Sequence, residues 1–244
     1  MDRKKEIGRI ERISGCYRSE RLTGANELYH IAVRDSLIPK EGGRSALELG
    51  CGKGLWTKIL CERHNSVDVV DGSDDLLENV MEENKNCRAV LKIHRALVED
   101  YIDAAVQKWQ YIYMTFFLEH LLDPVVVLKK IKACLEDDGC LFAAVPNAES
   151  VHRVIALRMG IIQSITQLSD NDKLVGHRRV YTSQLLRKQI VEAGFRIIEE
   201  RGVGLKPVSL DQMEEWSPEL VNAFCESDDL APENAAYLTI KAAP

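Results

Sequence analysis

Three glycines alternate in Gly50-Cys51-Gly52-Lys53-Gly54, directly after the run Ala46-Leu47-Glu48-Leu49. Glycines at such a point let the backbone turn sharply and approach a ligand more closely than a Cβ permits, with amides of the following helix facing it. Residues 46–54 therefore read as a nucleotide-cofactor loop. The spacing is one residue shorter than the dinucleotide fingerprint G-x-G-x-x-G, and Lys53 is followed by Gly54 rather than by the Ser or Thr of a phosphate-binding P-loop. Glu48 sets a carboxylate two residues before the first glycine, which suits a cofactor carrying an amino group and a sulfonium and suits a pyrophosphate badly. Asp71 follows Gly50 by 21 residues, at the end of a second apolar run, where an acidic side chain accepts both hydroxyls of a ribose. As a plain turn or helix cap in Asp71-Gly72-Ser73-Asp74, it would have no ligand at all.

Candidates for proton transfer and substrate contact lie further along. His120 falls just past the fourth apolar run, at the edge where ligands bind in parallel sheets. His177 lies in the polar stretch Gly176-His177-Arg178-Arg179-Val180-Tyr181. The fork of Arg178 or Arg179 matches an anionic substrate, while Asn147 and Tyr181 are placed to orient an acceptor; Lys206 is a lesser candidate. Each has a bland alternative: a packed or capping histidine for His120, a loop-anchoring hydrogen bond for His177, surface ion pairs for the arginines and a turn for Asn147. The remaining histidines form no spaced cluster with carboxylates, so no catalytic metal is expected, and no G-x-S-x-G is present.

These residues need elements to hold them. Residues 1–43 read as a helical, mostly polar lead-in or cap, ended by Gly42-Gly43. Strands are expected at 45–49, 66–70, 89–93, 109–114, 140–145, 195–200 and 236–241. Helices are expected from the glycine loop to about Arg63, at 74–83 behind a Ser73 cap, at 124–135 with Pro124 in its first turn, and from a Thr182 cap to Ala193. Asp138-Gly139 is expected to turn the chain between helix and strand. Short apolar runs alternating with helical patterns indicate an α/β fold with a doubly wound, mostly parallel sheet. Residues 44–244 would form that domain, with a lid insertion at 147–180 and a long partly helical excursion at 205–233.

The chain has 244 residues, 45% of them hydrophobic, and a net charge of −6. That acidity disfavours non-specific nucleic-acid binding, which needs a basic face. Seven scattered cysteines with no C-x-x-C pair indicate reduced thiols rather than a disulfide framework or zinc site. With no apolar run long enough for a membrane span and no hydrophobic leader, the expectation is a cytoplasmic protein, monomeric or homodimeric, without membrane or nucleic-acid partners.

Leu47-Glu48-Leu49-Gly50-Cys51-Gly52-Lys53-Gly54 resembles motif I of the class I S-adenosylmethionine-dependent methyltransferases. Later landmarks follow in that family's order. Val70-Asp71-Gly72-Ser73 resembles the ribose-binding end of the second strand, and Leu97-Val98-Glu99-Asp100 resembles the segment flanking the adenine. Tyr111–His120 resembles the fourth strand and its loop, and Leu135–Val145 with Pro146-Asn147 resembles the fifth strand and its exit. The likeness covers roughly residues 40–200 and is nearest to bacterial ubiquinone-biosynthesis-like and natural-product tailoring O-methyltransferases; Trp109-Gln110-Tyr111-Ile112 departs from it, lacking the Asp common near Gln110. It implies a Rossmann-like methyltransferase fold. It also implies S-adenosyl-L-methionine as cofactor, S-adenosyl-L-homocysteine as product, and a cofactor site made of Glu48, Gly50, Cys51, Gly52, Gly54, Asp71, Gly72, Ser73, Val98, Glu99 and Thr115. His120 and His177 would be the catalytic candidates, with Asn147, Arg178 and Tyr181 on a small-molecule or peptide acceptor, most naturally at a hydroxyl or carboxylate oxygen. Amine methylation, a nicotinamide-dependent oxidoreductase and a non-catalytic cofactor-binding partner subunit stay open as alternatives.

Overall fold

The computed structural model describes residues 3–19, 24–39 and 43–244; Gly42 of the expected break lies outside them. After α1 (Arg3–Ser19) and α2 (Gly24–Leu37), the chain alternates strictly through β1 (Ser45–Leu49), α3 (Leu55–Arg63), β2 (Ser66–Asp71), α4 (Asp74–Glu83), β3 (Val90–Arg95), α5 (Val98–Ala104), β4 (Trp109–Thr115), α6 (Pro124–Ala133) and β5 (Leu135–Pro146). There follow α7 (Val151–Arg158), α8 (Asp170–Leu174), α9 (Ser183–Glu192), β6 (Arg196–Val203), α10 (Pro218–Cys225) and β7 (Tyr237–Ala243). The seven strands form one sheet in the order β3-β2-β1-β4-β5-β7-β6. β1 to β5 run parallel, and β7 is antiparallel to both its neighbours. The expected doubly wound, mostly parallel sheet is thus the fold of the protein.

Strand alternation sends successive side chains to opposite faces. Leu47 and Leu49 join a core with Ile102 of α5, Leu128 of α6 and Leu186 of α9. Ala46 faces the other way, into a core with Tyr29 of α2, Leu60 of α3, Val80 of α4 and Val221 of α10. Burial on both faces explains why these strands read as continuous apolar runs.

Sequence and structure differ at two elements. The patterning predicts no helix between β3 and β4, yet α5 forms there, burying only Val98 and Ile102; a seven-residue helix with two core positions leaves little periodicity to read. β5 also starts at Leu135 rather than after Asp138-Gly139. Leu135 pairs with Trp109, and the register then shifts before Tyr111 pairs with Cys140, so the Asp138-Gly139 step is a distortion within a strand. The insertion leaves and rejoins the sheet at one point, where the Ala148 amide donates to the Tyr181 carbonyl at 2.7 Å and Asn147 bridges Tyr181.

Candidate active site

The chain order reverses at β1 and β4, and the crevice of an open α/β sheet lies outside the carboxyl ends of the strands at such a point. A cavity of about 230 Å³ opens there. The glycine loop forms its floor. Gly50, Gly52 and Gly54 all take positive φ, at 79°, 48° and 81°. A Cβ on Gly50 would collide with the Phe117 ring, whereas Gly52 faces open space, which is where a ligand approaches the backbone. The loop is tied to β2 by Gly50 N–H donating to the Val70 carbonyl at 2.9 Å and by the Cys51 amide donating to Asp71 Oδ2 at 3.1 Å. Asp71 Oδ1 accepts from the Ser73 amide at 2.9 Å. Burial raises the Asp71 carboxyl above its ordinary range, and these amides pull it back.

Gly50, Cys51, Gly52, Asp71, Gly72, Val98, Glu99, Thr115 and His120 line this one cavity; the first four follow from the spacing of the glycine loop and Asp71, and Gly72, Val98, Glu99 and Thr115 from the family resemblance. Glu48 does not line it. Alternation along β1 turns it to the α3 side, beneath the loop and 1% exposed, where Oε2 accepts from the Thr57 hydroxyl at 2.6 Å. Oε1 is buried without a partner, and burial pushes the carboxyl up to about 8. Gly54 caps α3 in the left-handed conformation, and Ser73 caps α4 through its Oγ, so both shape the loop from behind.

The expected substrate residues also sit elsewhere. Asn147 Nδ2 donates to the Glu233 and Ala235 carbonyls, and its Oδ1 accepts from the Glu149 amide; it closes the insertion. Tyr181 is fully buried, its hydroxyl oxygen 2.9 Å from Gln189 Oε1 and 3.3 Å from the Leu118 carbonyl oxygen, which share its one proton. Arg178 binds the His120 carbonyl through Nε at 2.9 Å and both Glu6 oxygens through Nη2 at 2.7 and 2.8 Å. Arg179 serves the carbonyls of Leu118, Leu121 and Leu122. A guanidinium in the wall of a folded loop finds backbone carbonyls first, so neither arginine is an anion clamp.

His177 lies beside the cavity rather than on its wall. Its Nδ1 is 2.9 Å from Asp172 Oδ1, and its ring meets His120 edge-on at 4.8 Å. Burial works against a charged His177, but the Asp172 bond and the Glu119 charge outweigh it and raise its pKa. His120 is pushed down to about 3, first by burial and then by His177 and Arg9, so it is neutral at pH 7.

Two features of the site leave no clear mark in the sequence. α1 closes the cavity with Glu6, Arg9, Ile10, Ile13 and Ser14, spaced along one face of a helix; the helix is otherwise too polar to mark that stripe as buried. His30, from α2, forms the wall with Trp56 and Phe116. The Trp56 indole, which can only donate, gives its proton to His30 Nδ1 at 3.3 Å. Neutral His30 therefore carries its own proton on Nε2, and burial holds its pKa down at about 4. Phe116 takes φ 55°, a strained value for an aromatic residue, and lies edge-on to His30 and Tyr237.

Residues 25–200 match the family described as "Methyltransferase domain". A ubiquinone biosynthesis O-methyltransferase of Actinobacillus pleuropneumoniae serotype 7 (strain AP76) is 24% identical over 109 residues, 43% of this chain and 47% of that protein; the chain thus spans about half the length of the curated relatives it matches. Among solved structures, an S-adenosylmethionine-dependent methyltransferase from Mesorhizobium loti aligns with a TM-score of 0.61 at 15% identity, over 89% of this chain and 98% of its own. The N-methyltransferase NodS from Bradyrhizobium japonicum WM9, solved with S-adenosyl-L-homocysteine, aligns with a TM-score of 0.54 at 14% identity, over 89% and 85%. The chain belongs to the methyltransferase-domain family and has the class I S-adenosylmethionine-dependent methyltransferase fold. S-adenosylmethionine is the cofactor this assignment carries, and the open face of Gly52 and the Asp71 carboxylate on the cavity wall fit it. Among the described residues no helix is long and apolar enough to cross a membrane, and the six cysteines whose side chains are described are free thiols.

Proposed function

We propose that the protein transfers the methyl group of S-adenosylmethionine to an oxygen, hydroxyl or carboxylate, of a small-molecule or peptide acceptor. One observation carries the reading: the glycine loop, Asp71 and the neutral His120 line a single cavity. The cofactor supplies an electrophilic methyl carbon on a sulfonium. Asp71 would take the ribose hydroxyls, Leu97 to Glu99 would flank the adenine, and the amides around Gly52 would approach the amino-acid portion. Trp56, Phe116 and Phe117 would hold an apolar acceptor, and α1 would exclude water from the reacting pair, which must be aligned at about 3 Å. His120, being neutral, would accept a hydrogen bond from the acceptor hydroxyl and orient it, the proton passing to solvent as the methyl is transferred. The O-methyltransferase relative supports oxygen as the target.

Calorimetric titration with S-adenosylhomocysteine and with NAD tests the cofactor, and transfer of labelled methyl to a panel of phenols and carboxylic acids tests the reaction. Binding of NAD alone overturns the proposal, as does cofactor binding without transfer to any oxygen acceptor. His120→Ala should abolish transfer to hydroxyls while leaving S-adenosylhomocysteine affinity within two-fold; equal loss of both would make His120 a packing residue.

A further inference from the structure

Glu119 is fully buried, and neither of its carboxylate oxygens has a hydrogen-bond partner. Two histidines face it. Its Oε1 lies 3.9 Å from His177 Nε2, too far for a hydrogen bond. His177 turns its Nδ1 to Asp172 Oδ1 at 2.9 Å; with that nitrogen donating, Nε2 of the neutral ring presents a lone pair to the Glu119 carboxylate. Two potential metal-donor atoms thus face each other across a buried gap of 3.9 Å, which a proton on Nε2 does not close with a hydrogen bond and a bound metal ion would. His120 completes the set, since one donor atom from each of Glu119, His120 and His177 lies within 4.8 Å of the other two.

We propose that Glu119, His120 and His177 bind a divalent transition-metal ion, with zinc the best match. Two imidazoles and one carboxylate are a ligand set for zinc or its transition-metal neighbours rather than for magnesium or calcium. The carboxylate on the far nitrogen of His177 is the usual outer partner of a metal-binding histidine, fixing ring and tautomer. The backbone is held on both sides of the gap: the His177 amide donates to the Asp172 carbonyl at 2.7 Å, and the Arg178 amide donates to the Glu119 carbonyl at 2.9 Å. Bonds of about 2.1 Å in tetrahedral array separate donors by about 3.4 Å, so loading draws the most distant pair in by roughly 1.4 Å.

Three guanidinium groups near the gap are engaged elsewhere. Arg178 is engaged by Glu6 and the His120 carbonyl, Arg153 by Asp172 and the Ile165 carbonyl, and Arg179 by three carbonyls. Because His120 lines the cavity, the fourth position of the ion opens toward the acceptor. This consequence rests on the acceptor's oxygen reaching that end. With the His120 lone pair on the ion, the ion would take over the part of His120 and polarise the acceptor hydroxyl, whose proton passes to solvent. The oxygen lone pair then forms the bond to the methyl carbon as the carbon–sulfur pair returns to sulfur.

Calorimetric titration of chelator-treated, desalted protein with zinc chloride tests the site. The expected result is one ion per chain with micromolar or tighter affinity. His177→Gln and Glu119→Gln should each weaken binding at least 10-fold, and Asp172→Asn by 10- to 100-fold, the usual effect of losing an outer partner. Cobalt chloride added to the unmodified protein should give the intense visible absorption of a four- or five-coordinate site, a readout that does not depend on any variant folding. No cobalt band, or zinc affinity unchanged by both ligand substitutions, overturns the proposal. Titration with S-adenosylhomocysteine on the same samples separates the two readings: cofactor binding without zinc binding refutes the metal site alone, and the converse refutes the methyltransferase reading alone.

Discussion

Glu48→Gln should change how the stability of the cofactor-free protein depends on pH. Burial under the glycine loop pushes this carboxyl from 4.5 to about 8, with the Thr57 hydrogen bond opposing the shift and Asp71 adding to it. Between those two values the folded protein keeps a proton that the unfolded chain has released. The slope of unfolding free energy is then negative, about −1.4 kcal/mol per pH unit for one proton. The contribution of Glu48 is fully present below pH 4.5 and is lost as pH rises toward 8. From pH 5 to pH 7 the loss amounts to about 3 kcal/mol, a large share of the stability of an ordinary domain. The amide of the variant cannot titrate, so the variant lacks this slope while every other group stays the same. Guanidinium unfolding of both proteins at pH 5, 6 and 7, followed by tryptophan fluorescence, gives the difference directly. The variant should gain about 3 kcal/mol on the unmodified protein across that range, whatever its offset at pH 5 from the new amide. Parallel stability curves would mean that Glu48 is ionised in the folded protein and that its unpartnered oxygen is solvated or paired.

Asp71→Ala should weaken S-adenosylhomocysteine binding by about 1–3 kcal/mol, the usual loss for a charge-assisted hydrogen bond; unchanged calorimetric affinity would remove Asp71 from the ribose site. Gly50→Ala places a side chain at φ 79° and against the Phe117 ring, and overpacking of that kind costs about 1–3 kcal/mol. Its thermal midpoint should fall and cofactor binding should be lost, so a fully stable, binding variant would contradict the loop geometry. Arg178→Ala cuts the tie between α1 and the loop after β4. Limited proteolysis near the N-terminus should accelerate while global unfolding shifts by less than about 1 kcal/mol, as for a partly exposed ion pair; unchanged cleavage would show that α1 is held by other contacts.

The cofactor half of the site is legible in the chain because it is local. Gly50, Gly52 and Gly54 occupy one turn, their positive φ values favour glycine, and Asp71 follows at the end of the next strand in a repeating β–α frame. Continuous apolar runs likewise reveal the parallel strands β1, β2 and β4, which are buried on both faces. The half proposed for the acceptor is not local. Glu119 and His177 are 58 residues apart, and nothing in either segment shows that Arg178 would bridge them to Glu6 or that Asp172 would fix the His177 ring. Arg178, Asn147 and Tyr181 carry side chains equally suited to substrate and scaffold; only the folded chain determines which acceptors reach them first, and in each case those are backbone carbonyls, Glu6 or Gln189. Nor does the polar surface of α1 reveal that five of its residues cover the cavity, since a helix that packs on a ligand site rather than on the core needs no apolar stripe. By itself the sequence determined the sheet, the glycine loop and the methyl donor. Tertiary structure decided which polar groups line the cavity and which are spent on the scaffold, because those partnerships depend on distances through space that no spacing along the chain records.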